Sequence, residues 1–227
     1  MVKVKICGIT NWADARTAVK NGADFLGFNF YRKSPRYVTP AVAARIVKKL
    51  PKGVKAVGVF VNEPEADVLR IAHQVKLKQL QLHGDESPET VERLQREFLV
   101  MKAIRVRGNG LTSQLKRFAK ADALLLDGFD GKQYGGTGKT FDWKVLRRAA
   151  LRQIVVMAGG LTAENVAEAI RIGRPFAVDV CGGVESRPGK KDAKRVADFL
   201  RAAKSAREVV ARSNAKRRTK GKVRKKS

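Results

Sequence analysis

Cys7, His83, Asp127 and Asp179 each stand at the end of a short apolar run in a chain of 227 residues. All four types can move protons. A thiolate or an imidazole takes one, and a carboxyl or an imidazole gives one, so the set suits general acid–base catalysis. Singly, each has an ordinary explanation. A lone cysteine in a strand is usually a small buried hydrophobe, and a lone His or Asp often caps a loop. Four at matching positions point to chemistry. Two glycine pairs, Gly159-Gly160 and Gly182-Gly183, close apolar runs in the same way. Glycine lets backbone N–H groups come close to a phosphate.

A third glycine-rich stretch, YGGTGKTFDW at 134–143, has the look of a nucleotide loop. Gly138-Lys139-Thr140 is present, but the position where a P-loop needs its first glycine holds Gln133. The stretch also follows its apolar run only after a long connection. It reads as a covering loop, with Asp142-Trp143 opening the next helix.

Some frame must bring these residues together. Runs at 2–8, 23–30, 54–62, 77–84, 99–106, 121–128, 152–160 and 175–183 read as strands, and the segments between them have helical periodicity. Asn11 caps the first helix. Thr39-Pro40 and Ser87-Pro88 are start signals, with a capping hydroxyl followed by a proline in the first turn. The segment TAENVAEAIRIG is expected to be capped by Thr162 and closed by Gly173. Strict alternation of eight strands and eight helices implies parallel strands joined by right-handed crossovers. A doubly wound open sheet and a closed (β/α)8 barrel both fit. Eight units with no candidate antiparallel edge strand favour an α/β fold of the TIM-barrel type, as a single domain over 1–205. In either architecture the active site lies at the C-terminal ends of the strands, where the proton-moving residues fall. In such barrels the loops after the seventh and eighth strands often bind phosphate, so Gly160, Gly182 and Gly183 are the candidates for that task.

The net charge of +27 is high for an enzyme of small molecules. Nine Lys and Arg and no acid lie between Val209 and Ser227, leaving +18 on the rest. Residues 206–227 read as a basic, disordered extension able to make non-specific contact with polyanions. No apolar run has the length of a membrane span, and the start enters a strand without a signal-peptide pattern, so a cytoplasmic protein with both cysteines reduced is expected.

The chain resembles the phosphoribosylanthranilate isomerases of tryptophan biosynthesis. The likeness covers residue 2 to about 200 and rests on VKICGIT, ADFLGFNFYRKSPRYV, VGVFVN, LQLHGDE, LLLDG followed by YGGTGKTFDW, AGGLTAENV and AVDVCGGVESRPGKKD. It implies an Amadori rearrangement of an aminoaldose phosphate to a ketose, with no cofactor and no metal. By this resemblance Asp127 is similar to the family's general acid and Cys7 to its general base. Arg36 matches the residue that binds the anthranilate carboxylate, while His83 and Asp179 look like substrate contacts. The family usually has two serines where this chain has Cys181 and Gly182. A base role for Cys7 asks for a nearby cation. Lys5, two residues earlier on the same strand side, could supply it, or could instead form a structural ion pair inside the barrel. The partner implied is a small phosphorylated substrate, and a homo-oligomer is compatible with it. The related sugar isomerase of histidine biosynthesis resembles a two-aspartate design, which Cys7 disfavours. A nucleic-acid-binding barrel would account for the charge but not for the residues at the strand ends.

Overall fold

Alternation along each apolar run decides which side chains face the barrel axis. The computed structural model describes residues 2–106, 111–128, 142–146 and 153–206. Most of the 134–143 loop and the tail from 207 onward lie outside the described residues, as does Arg107. Eight parallel strands close into a barrel in chain order: β1 (Lys3–Ile6), β2 (Phe25–Asn29), β3 (Lys55–Phe60), β4 (Gln79–Leu82), β5 (Leu99–Val106), β6 (Ala123–Gly128), β7 (Ile154–Met157) and β8 (Ala177–Val180). The expected TIM barrel is thus the fold, and the open sheet is excluded by the pairing of β8 with β1. Most strands are shorter than the apolar runs, which extend into the adjoining loops, whereas β5 spans its whole run.

Successive side chains of a strand point to opposite faces. Ile6, Leu26, Leu80, Leu82, Leu124, Leu126 and Val178 face outward and are buried under the helices. At ~1.5–3 kcal/mol for each large apolar side chain fully buried, this layer supplies the main attraction between sheet and helices. A smaller cluster of Ala103, Leu125, Val156, Ala158 and Ala177 fills the interior. The same parity continued to the strand ends brings Cys7, His83, Asp127 and Asp179 to the mouth.

The helix starts follow the capping signals. Asn11 accepts from the Asp14 N–H ahead of Trp12–Lys20, Thr39 from Val42 ahead of Pro40–Val47, and Ser87 from Thr90 ahead of Pro88–Leu94. Thr162 does not behave as expected. The helix begins later, at Val166, because Asn165 turns its side chain back into the preceding loop, accepting from Thr162 N–H and donating to the Gly160 carbonyl. At its far end the left-handed residue is Arg174, with φ 50°, while Gly173 is the last helical residue and fits close against Met157 and Leu146. Of the helix expected after Asp142, only residues 145–146 are helical among those described, and residues 193–206 form the closing helix. One addition was not foreseen. After β8 a 3-10 turn (Gly182–Val184) leads into a small antiparallel hairpin, Glu185–Arg187 with Lys190–Lys191. Among the described residues no helix is long and apolar enough to cross a membrane.

Candidate active site

A cavity of about 380 Å³ opens at the C-terminal ends of the strands. Cys7, Arg36, His83, Asp127, Gly160, Asp179, Gly182 and Gly183 all line it. These eight residues are therefore at one mouth, though they come from six different strand–loop units of the barrel.

Cys7 follows β1 and is held by its N–H, which donates to the Val180 carbonyl at 2.9 Å. Lys5, on the same strand face, is buried and reaches Asp179 Oδ1 at 3.0 Å. Lys5 forms the ion pair inside the barrel, and its charge also lowers the Cys7 pKa. Burial opposes the Lys5 ammonium, but the charges of Asp179 and Cys7 outweigh burial and hold its pKa above the ordinary lysine value. The Cys7 thiol is held well below the usual thiol range. A hydrogen bond from Cys181 is the largest cause, burial opposes it, and the charge of Lys5 adds to it. Cys181 moves the opposite way, kept protonated by its bond to Cys7 and by burial. Burial pushes the Asp179 carboxyl up to about 7, against the pull of Lys5. The charge of Lys5 thus favours the deprotonated form of Cys7, and Asp179 is ion-paired to that ammonium.

Asp127 is the penultimate residue of β6, three strands around the barrel from Cys7, and is only 4% exposed. His83, at the end of β4, places Nε2 3.2 Å from Asp127 Oδ2. Its Nδ1 meets the Gln81 side-chain amide nitrogen at 2.6 Å. The order along β4 is simple: Gln81 and His83 share the inward parity, so the first can orient the second.

Arg36 lies in the loop after β2 and lines the cavity, but its guanidinium is already gripped on one edge. Nε and Nη2 donate to Glu185 at 2.8–3.1 Å. The other edge, carrying Nη1, is the one a substrate carboxylate would use. Glu185 opens the unforeseen hairpin and also takes Lys191 Nζ at 2.9 Å. Burial alone would raise its pKa; the hydrogen bonds from Arg36 and the charge of Lys191 prevail and hold it below the ordinary carboxylate value. The hairpin is tied to the neighbouring loops in turn, by Thr10 Oγ1 to the Gly189 carbonyl at 2.8 Å and by Lys191 N–H to Asp14 Oδ2 at 2.9 Å. Glu185, Lys191 and Gln81 were not singled out from the sequence. Only the inward parity of Gln81 with His83 offered a signal.

The loops after β7 and β8 meet across the rim. Gly160 has φ 62°, a conformation that favours glycine, and a Cβ on Gly183 would collide with the Leu161 carbonyl. Their backbones approach to a distance no side chain would allow, and both loops border the cavity where an anion would meet backbone N–H groups.

A closed barrel with a cysteine, a buried carboxyl and a glycine-lined rim at one mouth is the arrangement of a (β/α)8-barrel enzyme. Comparison with known proteins narrows the class. Residues 4–202 match the family model for N-(5'-phosphoribosyl)anthranilate (PRA) isomerase, and the chain belongs to that family. The N-(5'-phosphoribosyl)anthranilate isomerase of Trichlorobacter lovleyi is 50% identical over 207 residues, covering 91% of this chain and all of the relative. The crystal structure of phosphoribosyl anthranilate isomerase from Thermotoga maritima aligns with a TM-score of 0.86 at 44% identity, over 90% of this chain and 100% of that one. A structure of such an isomerase in complex with reduced 1-(o-carboxyphenylamino)-1-deoxyribulose 5-phosphate aligns with a TM-score of 0.82 at 42% identity, over 90% and 100%.

Proposed function

We propose that this chain isomerises N-(5-phosphoribosyl)anthranilate to carboxyphenylamino-deoxyribulose phosphate in tryptophan biosynthesis, with Asp127 as general acid and Cys7 as general base. The observation that carries the assignment of roles is the environment of Cys7. Its pKa is held well below the usual thiol range beside Lys5, in the same cavity as a buried carboxyl. Asp127 protonates the furanose ring oxygen, and the ring opens to a Schiff base. The Cys7 thiolate then takes the proton from the second sugar carbon. The electron pair moves into the imine to give an enolamine, which tautomerises to the ketose. Both steps are proton transfers on a substrate held still, so positioning matters as much as acidity.

Binding is divided among three edges of the cavity. The glycine loops at 159–162 and 181–183 receive the phosphate on backbone N–H groups. The Nη1 edge of Arg36 takes the anthranilate carboxylate, a planar fork matched to a planar anion. His83 and Asp179 border the sugar between them. The barrel forms the catalytic unit over 1–205, and the two free thiols fit a reducing, cytoplasmic setting. The test is the loss of anthranilate fluorescence from phosphoribosylanthranilate added to purified chain. A first-order decay proportional to enzyme supports the proposal. No decay above the spontaneous rate, with folded protein present, overturns it.

A further inference from the structure

Cys7 and Cys181 are the two cysteines of the chain, and both are free. They close adjacent barrel strands. The β1–β8 register pairs Lys5 with Asp179 and Ile6 with Val180, and one step further along are Cys7 and Cys181. Neighbouring strands run ~4.8 Å apart, which falls within the Cα separations a disulfide accepts. The pairing two residues earlier shows that side chains of this face meet, since Lys5 touches Asp179 at 3.0 Å. Cys181 Sγ lies close to Cys7's own segment, 3.0 Å from where a Cβ on Gly8 would stand. Both cysteines also line the cavity, so a small molecule that enters it can reach them.

We propose that Cys7 and Cys181 are a modification site: a hydroperoxide entering the cavity oxidises the pair to a reversible disulfide, with Cys181 as the resolving thiol. The Cys7 thiolate sulfur attacks one peroxide oxygen. The O–O bond breaks, the distal oxygen leaves as alkoxide (hydroxide from hydrogen peroxide), and Cys7 becomes a sulfenic acid. Cys181 sulfur then attacks Cys7 sulfur, forming the S–S bond and breaking the S–O bond. The sulfenic oxygen departs as water, carrying the Cys181 proton. Two thiol sulfurs have lost two electrons and the peroxide has gained them. A dithiol reverses the reaction by exchange. The low pKa of Cys7 favours the first attack. Without a partner the sulfenic acid would continue to sulfinic acid, which thiols do not reduce. Lys191 Nζ, 3.7 Å from Cys181 Sγ, is placed to stabilise negative charge on that sulfur as it attacks.

The proposal rests on the reading of Cys7 as base only for its effect on turnover; the bond itself is read by mass. Full-length protein is treated with a small excess of hydrogen peroxide, blocked, digested without reduction and mapped by mass spectrometry. The expected product is one cross-linked species joining the Cys7 and Cys181 peptides, with turnover lost in proportion to it and restored by dithiothreitol. The Cys181→Ser chain should give no cross-link, a dimedone-trappable Cys7 and then sulfinic acid, and only partial recovery of its own starting rate. Oxidation of wild-type Cys7 without the cross-link would overturn the proposal, as would a Cys7 that resists peroxide. Equal recovery by Cys181→Ser would overturn the resolving role. A chain inactive on phosphoribosylanthranilate would still show or lack the cross-link, so the two readings fail separately.

Discussion

A cysteine can serve as a base only if its proton is gone at working pH, and its neighbours decide that. The Cys181 hydrogen bond and the Lys5 ammonium favour the Cys7 thiolate, and burial opposes them without prevailing. The sign of the pH dependence follows. A depressed pKa means that the reactive form persists as pH falls below the range of a free thiol and disappears only at its own lower value. Alkylation of Cys7 by iodoacetamide should therefore inflect below the ~8.5 of an unperturbed cysteine. An inflection at or above that value would contradict the assignment of Cys7 as a ready base. Replacing Lys5 by Met removes one of the groups that lower the Cys7 pKa, and the inflection should move up. Lys5 was legible from sequence as a choice between two roles. Parity along β1 placed it beside Cys7, but its contact with Asp179 depends on closure of β8 onto β1, which no local pattern encodes.

The element that matters most at the mouth is the hairpin after β8, because it presents Glu185 to Arg36. Arg36→Met should raise KM with a much smaller effect on kcat. The carboxylate proposed as its partner is present in substrate and transition state alike, so uniform binding would be lost. A normal KM with depressed kcat would remove that role. Glu185→Gln should also raise KM, by letting the guanidinium swing, and it carries a second cost. Lys191 is only 4% exposed and would be left without its charge partner. Breaking a buried pair in this way costs ~3–5 kcal/mol, visible as a lowered Tm. Adding Lys191→Met should recover much of the stability while KM stays high. If KM recovers as well, Glu185 acts through stability alone. Arg36 was named from the sequence by resemblance, but the hairpin and its Glu185–Lys191 pair were not legible there. Strands of three and two residues have no measurable periodicity, and Glu185 in a basic loop reads as a solvated acid. The Thr162 cap failed for a related reason: Asn165 competes for the same loop, and a cap signal cannot rank two short polar side chains three residues apart.

At the scale of the molecule, the barrel was legible because strand and helix alternate without interruption and the reactive residues keep the same parity at every strand end. Length of strand was less legible, since apolar runs continue into loops that are themselves buried at the mouth. The charge of +27 belongs to this scale too. Val209 to Ser227 holds nine cations and has no apolar face to pack. Deleting it should leave kcat/KM and Tm nearly unchanged and should weaken retention on a polyanion matrix, because its field is screened over ~8 Å at physiological salt. A kcat/KM that falls at low salt and recovers at high salt would show instead that the tail steers the anionic substrate.

The account depends on one pair of side chains, Cys7 and Asp127, exchanging protons with one substrate. The most direct measurement is steady-state turnover of phosphoribosylanthranilate by the wild-type chain, Cys7→Ser and Asp127→Asn, each confirmed folded. Each variant should lose roughly 10²–10⁴-fold in kcat with little change in KM, as expected for a group that acts only in proton transfer. A kcat within a few-fold of wild type in either variant would contradict the mechanism.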